Sequence, residues 1–225
     1  MIPAAAVARV LRRLTQPAAL LLAATCAACS LLELPSEPGS VLFQDDFSRQ
    51  SSGWDRYRDE TYSTDYAGGT YRIHVLRPNT DAWANPGLEL GDAQLEVDAT
   101  KAGGPDDNVF GVICRYQDAR NFYFFLVSSD GYTGIGVYKD GRRRLLTDQS
   151  LLPHPAVARG AATNHLRADC VGYRLDLYVN GQWVAGAAAA EWPQGDVGLI
   201  AGTYELGGTE ILFDNFSVLK ALPAP

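Results

Sequence analysis

Five glycine-bearing turn signals divide residues 41–220 into short segments, and this limits the fold more tightly than any other feature of the chain. Asn180-Gly181 sits between Leu177-Tyr178-Val179 and Trp183-Val184, Asp140-Gly141 follows Ile135-Gly136-Val137-Tyr138, and Asp130-Gly131 follows Phe122 to Val127. Gly68-Gly69 and Gly207-Gly208 mark two further turns. Asn-Gly and Asp-Gly supply the positive φ angles that tight hairpins require. Between the turns the apolar residues alternate: Tyr173, Leu175, Leu177 and Val179 take one face, Arg174, Asp176 and Tyr178 the other. Period two is the signature of half-buried strands, and about ten or more short strands at this spacing predict an antiparallel sandwich or barrel. No amphipathic helix is predicted after residue 40, since Ala185 to Ala190 is helix-permissive but short. Without an internal repeat or a second composition regime, 41–220 reads as one domain and 221–225 as a tail.

The chain has 225 residues, 47% hydrophobic and 20% charged, enough apolar material for a sizeable core and too little charge for a disordered tail. Its net charge of −7 argues against a nucleic-acid partner, which would call for a basic face.

The amino-terminal stretch differs from the rest. Arg9, Arg12 and Arg13 precede a twelve-residue apolar run, Ala18 to Cys29. A membrane-spanning helix needs about 20 residues, so the pattern predicts a signal peptide. Ala24-Thr25-Cys26-Ala27-Ala28-Cys29-Ser30 resembles a bacterial lipoprotein lipobox. In that family small residues precede a cysteine that becomes the lipidated amino terminus. Cys29, after Ala27 and Ala28, fits better than Cys26, which stands where a leucine is usual. The expectation is a leader over 1–28, lipid on Cys29 and a tether over 29–40 containing Pro35, Pro38 and Gly39. The protein would then lie on the extracytoplasmic side of the envelope and meet the membrane through its anchor alone.

Export favours disulfides. Cys114 alternates with Phe110 and Val112, and Cys170 with Leu166 and Ala168, so both thiols face a core as a disulfide or as two buried free thiols.

The order of several segments carries a family resemblance. Phe43-Gln44-Asp45-Asp46-Phe47 with Gly53-Trp54 opens the domain, followed by Leu95-Glu96-Val97-Asp98-Ala99-Thr100 and Phe110-Gly111-Val112-Ile113-Cys114-Arg115-Tyr116. Tyr123-Phe124-Phe125, Leu177-Tyr178-Val179-Asn180-Gly181, Gly195-Asp196-Val197-Gly198-Leu199 and Phe213-Asp214-Asn215-Phe216 complete the series. This arrangement resembles the concanavalin A-like lectin/glucanase superfamily, in its laminin-G-like and 3-keto-disaccharide-hydrolase-like branch. The resemblance implies an all-β, two-sheet antiparallel jelly roll whose concave sheet often binds sugar. Such a fold hosts lectins, hydrolases and adhesion modules, so it does not fix the function.

Residues must therefore decide. Glu96-Val97-Asp98 is similar to the start of the Glu-x-Asp-x-x-Glu strand of laminarinase-type hydrolases, but the acid/base position falls on Lys101, or on Thr100 in the shorter register. Retaining hydrolysis needs two carboxyl groups about 5–5.5 Å apart, and ordinary alternation places Leu95 and Val97 in the core with Glu96 and Asp98 in water. Glu96, Asp98, His165, Arg167, Asp169, Arg174 and Asp176 suit cross-strand ion pairs on a polar sheet face. Arg115 shares its alternation with Val109, Gly111 and Ile113, which predicts a sheltered concave face where it binds ligand, with Tyr123 as a stacking neighbour, or pairs with Glu96. Trp83 and Tyr132, in loop-like sequence, stack on a sugar or cap the sandwich. Asp45 and Asp214 alternate with apolar residues and point inward, sharing a Ca²⁺ or bonding to Arg or backbone N–H groups. His74, His154 and His165 have no metal-ligand spacing, and no Gly-x-Ser-x-Gly elbow occurs. These residues point to a non-catalytic surface module for a carbohydrate or another extracellular ligand. The alternatives are a glycan-active enzyme with an atypical site and a structural or adhesion domain.

Overall fold

The computed structural model describes residues 37–221, and the expected leader and Cys29 lie outside them. The strands are, in chain order, β1 (Val41–Asp45), β2 (Tyr57–Arg58), β3 (Tyr62–Ala67), β4 (Thr70–Val75), β5 (Asp81–Ala84), β6 (Ala93–Gly103), β7 (Asn108–Asp118) and β8 (Asn121–Val127). There follow β9 (Tyr132–Lys139), β10 (Arg142–Leu145), β11 (Leu152–Pro153), β12 (Thr163–Val171), β13 (Arg174–Val179), β14 (Gln182–Ala188), β15 (Asp196–Thr203) and β16 (Thr209–Lys220). No helix occurs among the described residues, and the helix-permissive alanines enter β14 as strand.

Two antiparallel sheets form a sandwich. The larger runs β14-β13-β12-β6-β16-β4-β3-β2, with β1 on the far half of β16; the smaller runs β10-β9-β8-β7-β15-β5, with β11 on β9. Alternation builds the core between them. Leu95, Val97 and Ala99 of β6 face Phe110, Val112 and Cys114 of β7, with Leu175, Leu177, Ile211 and Phe213 alongside, all essentially inaccessible. Turn chemistry sets the hairpins. Asn180-Gly181 and Asp140-Gly141 adopt φ of 50° and 78°, and of 54° and 77°, as the two-residue turns need.

Cys114 and Cys170 are disulfide-bonded, stapling β7 of the smaller sheet to β12 of the larger across 56 positions of sequence. Glu96 and Asp98 point out of the larger sheet. Asp98 meets His165 Nδ1 at 2.8 Å and accepts from Asn215 Nδ2 at 3.0 Å, while Glu96 accepts from Gln94 Nε2 at 2.7 Å.

Two bulges overturn simple alternation. In β16 the register slips between Asp214 and Ser217, with Asn215 at a φ of 53°. Ile211 and Phe213 face the core before the slip, Phe216 and Val218 after it. Asp214 therefore does not share the inward face of Phe216, as strict alternation suggests; it is half-buried opposite Asp98 and accepts the Asn215 N–H at 2.7 Å. In β7 the register shifts beyond Cys114, and Arg115 itself adopts a φ of 51°. That bulge re-aims Arg115, as bulges do.

Candidate functional site

The smaller sheet buries both of its faces. Beneath the main core lies a second apolar layer on the outside: Val109, Ile113, Phe122, Phe124, Leu126 and Ile200, each at most 1% exposed. Trp83, Tyr116 and Tyr138 cover it, the Phe122 ring lying 5.1 Å from that of Trp83 and 4.8 Å from that of Tyr138. The sheet is strongly concave on this side. Asp81 on one edge strand, β5, accepts a hydrogen bond from Tyr138 on β9 at 2.5 Å, and its Oδ2 stands 3.6 Å from Arg143 Nε on the opposite edge strand, β10. Arg143 also lies over the Phe124 ring, 5.3 Å from its centroid. Glycine makes room for Asp81 in this bridge, since its carboxylate lies where a Cβ on Gly202 would project.

Beside this bridge the concave side opens into a cleft of about 390 Å³, lined in part by Tyr132, Arg143, Leu145, Tyr204, Asp107 and Asp130. The turn Ser128-Ser129-Asp130-Gly131 aims Tyr132. Ser128 Oγ donates to Asp130 and accepts the Tyr132 N–H at 2.9 Å, and Ser128 N donates to Tyr132 O at 2.9 Å. Asn108 locks the same turn from β7, its Oδ1 accepting from Ser129 N at 3.1 Å. Tyr132 is left 38% exposed at the rim. The cleft thus combines aromatic rings, an arginine and carboxylates, the mixture that holds a polyhydroxylated ligand by stacking and hydrogen bonds.

The sequence-predicted residues divide into two groups. Trp83 and Tyr132 share the outer face of the smaller sheet, both on strands rather than in loops: Trp83 in β5, within the aromatic cover, and Tyr132 at the start of β9, in the cleft. Arg115 and Tyr123 lie elsewhere. Arg115 does not share the face of Val109 and Ile113, because its bulge turns it toward the other sheet. Its Nη1 donates to Trp192 O at 3.0 Å and its Nη2 to Asp92 Oδ1 at 3.1 Å, with the side chain 2% exposed. Its charged partner is Asp92, not Glu96. Tyr123 faces the main core against Trp192, ring centroids 5.1 Å apart, and its hydroxyl, pushed up to about 12 by burial, donates to Glu191 Oε2 at 2.6 Å. The Tyr123 hydroxyl and both Arg115 Nη groups are engaged inside the protein, while the buried Arg115 Nε has no hydrogen-bond partner.

Asp45 is buried and its carboxylate is satisfied by Phe47 N at 2.8 Å, Trp54 Nε1 at 3.0 Å and the Ser52 hydroxyl. The hollow beside it is lined by Asp46, Asn215 and Ser217 but not by Asp214, so the two acids do not meet in one site. Among the described residues no three His, Cys, Asp or Glu side chains gather around a metal position.

Arg143, Tyr138, Asp81 and Tyr204 escaped the sequence reading. One signal for them was present: in β8, Phe122, Phe124 and Leu126 alternate with Tyr123, Phe125 and Val127, so the strand is apolar on both faces and its outer side requires a cover.

No protein-family model matches the sequence, and no curated protein does. Solved structures do. A carbohydrate-binding module, CBM66 from Bacillus subtilis, superposes with a TM-score of 0.58 at 18% identity over 75% of this chain and 96% of its own. A protein of unknown function with a galectin-like fold, also from Bacillus subtilis, gives 0.61 at 8% identity over 84% and 99%. A xylan β-1,4-xylosidase from Bacillus halodurans C-125 gives 0.58 at 16% identity, covering 83% of this chain but 41% of the xylosidase. At these identities the shared property is the fold, a galectin-like β-sandwich.

Proposed function

We propose that the domain is a non-catalytic binding module for carbohydrate, that the cleft beside Tyr132 receives the ligand, and that lipid on Cys29 holds the protein at the extracytoplasmic surface of a membrane. The cleft carries the reading: an exposed tyrosine, an arginine braced over a phenylalanine ring and two carboxylates converge at an opening of the concave face. The likeness to a carbohydrate-binding module supports the ligand class. The disulfide supports an oxidising compartment. Glu96 and Asp98, engaged with Gln94, His165 and Asn215 on the opposite sheet, supply no acid pair to the cleft. The superfamily resemblance to laminin-G-like lipoprotein domains fits the same picture.

A glycan array probed with the full chain in mild detergent tests the ligand class. Binding to at least one carbohydrate is expected, weakened about tenfold or more by Tyr132→Ala, in line with the loss of one stacking side chain. Absence of binding, or turnover of the bound glycan, overturns the reading. For the anchor, a palmitate analogue is expected to label the wild type and not Cys29→Ala; equal labelling of both rejects it.

A further inference from the structure

The outer face of the larger sheet carries a transverse row of planar side chains, one per strand. Trp183 of β14 pairs with Tyr178 of β13, Tyr178 with Arg167 of β12, and Arg167 with Glu96 of β6. Trp183 is 56% exposed, a large apolar surface left in water. Yet it is not loose. Its Nε1 donates to Asp176 Oδ1 at 2.9 Å, and its ring lies along its own strand over Gly186, where a Cβ would stand 3.0 Å from the ring. The edge of the indole that carries Nε1 and Cζ2 is therefore held against Asp176 and Gly186, and more than half of the side chain meets solvent. Tyr178 is braced as well: the Arg167 guanidinium lies 4.6 Å from its ring centroid and is itself held by Asp169 through two bonds, at 2.9 and 2.7 Å. Side chains ordered before binding lose little entropy on contact.

We propose that this row is a second, flat binding platform for a neutral β-linked polysaccharide chain lying across the strands. The inference rests on the carbohydrate reading above but on none of the cleft residues. Neighbouring strands are about 4.8 Å apart, close to the advance of one pyranose unit in an extended β-linked chain. The apolar C–H face of a pyranose matches the exposed indole of Trp183, and its equatorial hydroxyls reach Asp176, Arg167 and Glu96. Charge selects a neutral chain. Arg167 is paired with Asp169, Arg174 with Asp176 at 3.2 Å, and His165 with Asp98 at 2.8 Å, so the row presents no unpaired cation to an anionic polymer. Such a platform on the face opposite the cleft would let one module hold two chains, or one chain twice, with the gain in avidity that linkage brings.

Native gels containing mixed-linkage β-glucan, xylan or galactomannan, run with the full chain in mild detergent, test the platform. At least one polysaccharide is expected to retard the wild type. Trp183→Ala is expected to weaken that retardation tenfold or more, while Tyr132→Ala in the cleft leaves it unchanged. Trp183→Leu, which keeps apolar cover on β14 without a flat ring, is expected to behave as Trp183→Ala and guards against a folding defect. Loss in Tyr132→Ala alone overturns the platform and leaves the cleft reading standing. Equal loss in both variants overturns two independent sites, and no retardation by any of the three polymers overturns the platform outright.

Discussion

Arg143 Nε lies 3.6 Å from Asp81 Oδ2 although the two residues belong to the opposite edge strands of the smaller sheet. Only strong curvature brings such edges within reach, and Tyr138 completes the bridge from β9. Asp81 thus accepts the Tyr138 hydroxyl and balances the charge of Arg143. Asp81→Ala is expected to cost about 1–3 kcal/mol, because it leaves the Tyr138 hydroxyl without its acceptor over an apolar layer and removes the counter-charge of Arg143. A lower urea midpoint with an unchanged m-value would show it. Wild-type stability in Asp81→Ala would mean that water replaces the bridge at no cost.

Arg115 offers a different test of what a buried arginine is for. Its guanidinium ties the bulge of β7 to Asp92, before β6, and to the carbonyl of Trp192, before β15. Arg115→Ala is expected to lower stability by about 2–3 kcal/mol, by leaving the Trp192 carbonyl without its donor and a cavity at the bulge, while Asp92 keeps the Gly172 N–H. Arg115→Lys is expected to recover only part of this, since a lysine brings one nitrogen where the guanidinium sets Nη1 and Nη2 against separate acceptors. Glycan binding by the folded fraction is expected to survive both changes. Loss of binding with an unmoved melting temperature would return Arg115 to the ligand.

The fold was legible because its determinants are local: Asn-Gly and Asp-Gly turns and period-two alternation are written in adjacent residues. The two thiols were read inward by the same rule, and they face each other across the core. What failed was alternation carried through a bulge. Arg115 and Asn215 sit at positive φ, and one extra residue at each changes the face of what lies nearby. Asparagine tolerates that conformation and so left a weak signal; arginine left none. The cleft was half legible. Tyr132 follows an Asp-Gly turn and was singled out, whereas Arg143 and Tyr204 meet it only through the curvature of a whole sheet, which no local pattern encodes.

Removing the staple between the sheets should be costly. The Cys114–Cys170 bond closes 56 positions of chain, for which the chain-entropy estimate is about 4 kcal/mol. The double variant Cys114→Ala/Cys170→Ala is expected to lose stability of that order, with a cooperative transition retained if the apolar core suffices. Intact mass after alkylation without reductant is expected to show neither thiol modified. Alkylation of both would exclude the bond.

Tyr123 and Glu191 should couple stability to acid. The Tyr123 hydroxyl donates to Glu191 Oε2 at 2.6 Å and accepts the Glu191 N–H at 2.9 Å, while Lys139 Nζ stands 3.6 Å from the other carboxylate oxygen. The tyrosine hydrogen bond, more than any other interaction, holds Glu191 below the ordinary carboxylate range. An unfolded glutamate titrates near about 4.3. A folded value depressed below that contributes stability above the unfolded pKa and loses it as pH falls through the folded one. Tyr123→Phe deletes the donor, so Glu191 is expected to titrate higher, which ¹³C NMR of its carboxyl would register. Two parts of the stability gap between wild type and variant then separate. The Glu191 N–H left without its acceptor costs the variant the same at every pH, whereas the carboxylate part is present at neutral pH and disappears in acid. Urea midpoints are therefore expected to differ more at neutral pH than below the folded pKa of Glu191. An equal gap at both would show that the bond does not discriminate between the charged and neutral carboxyl.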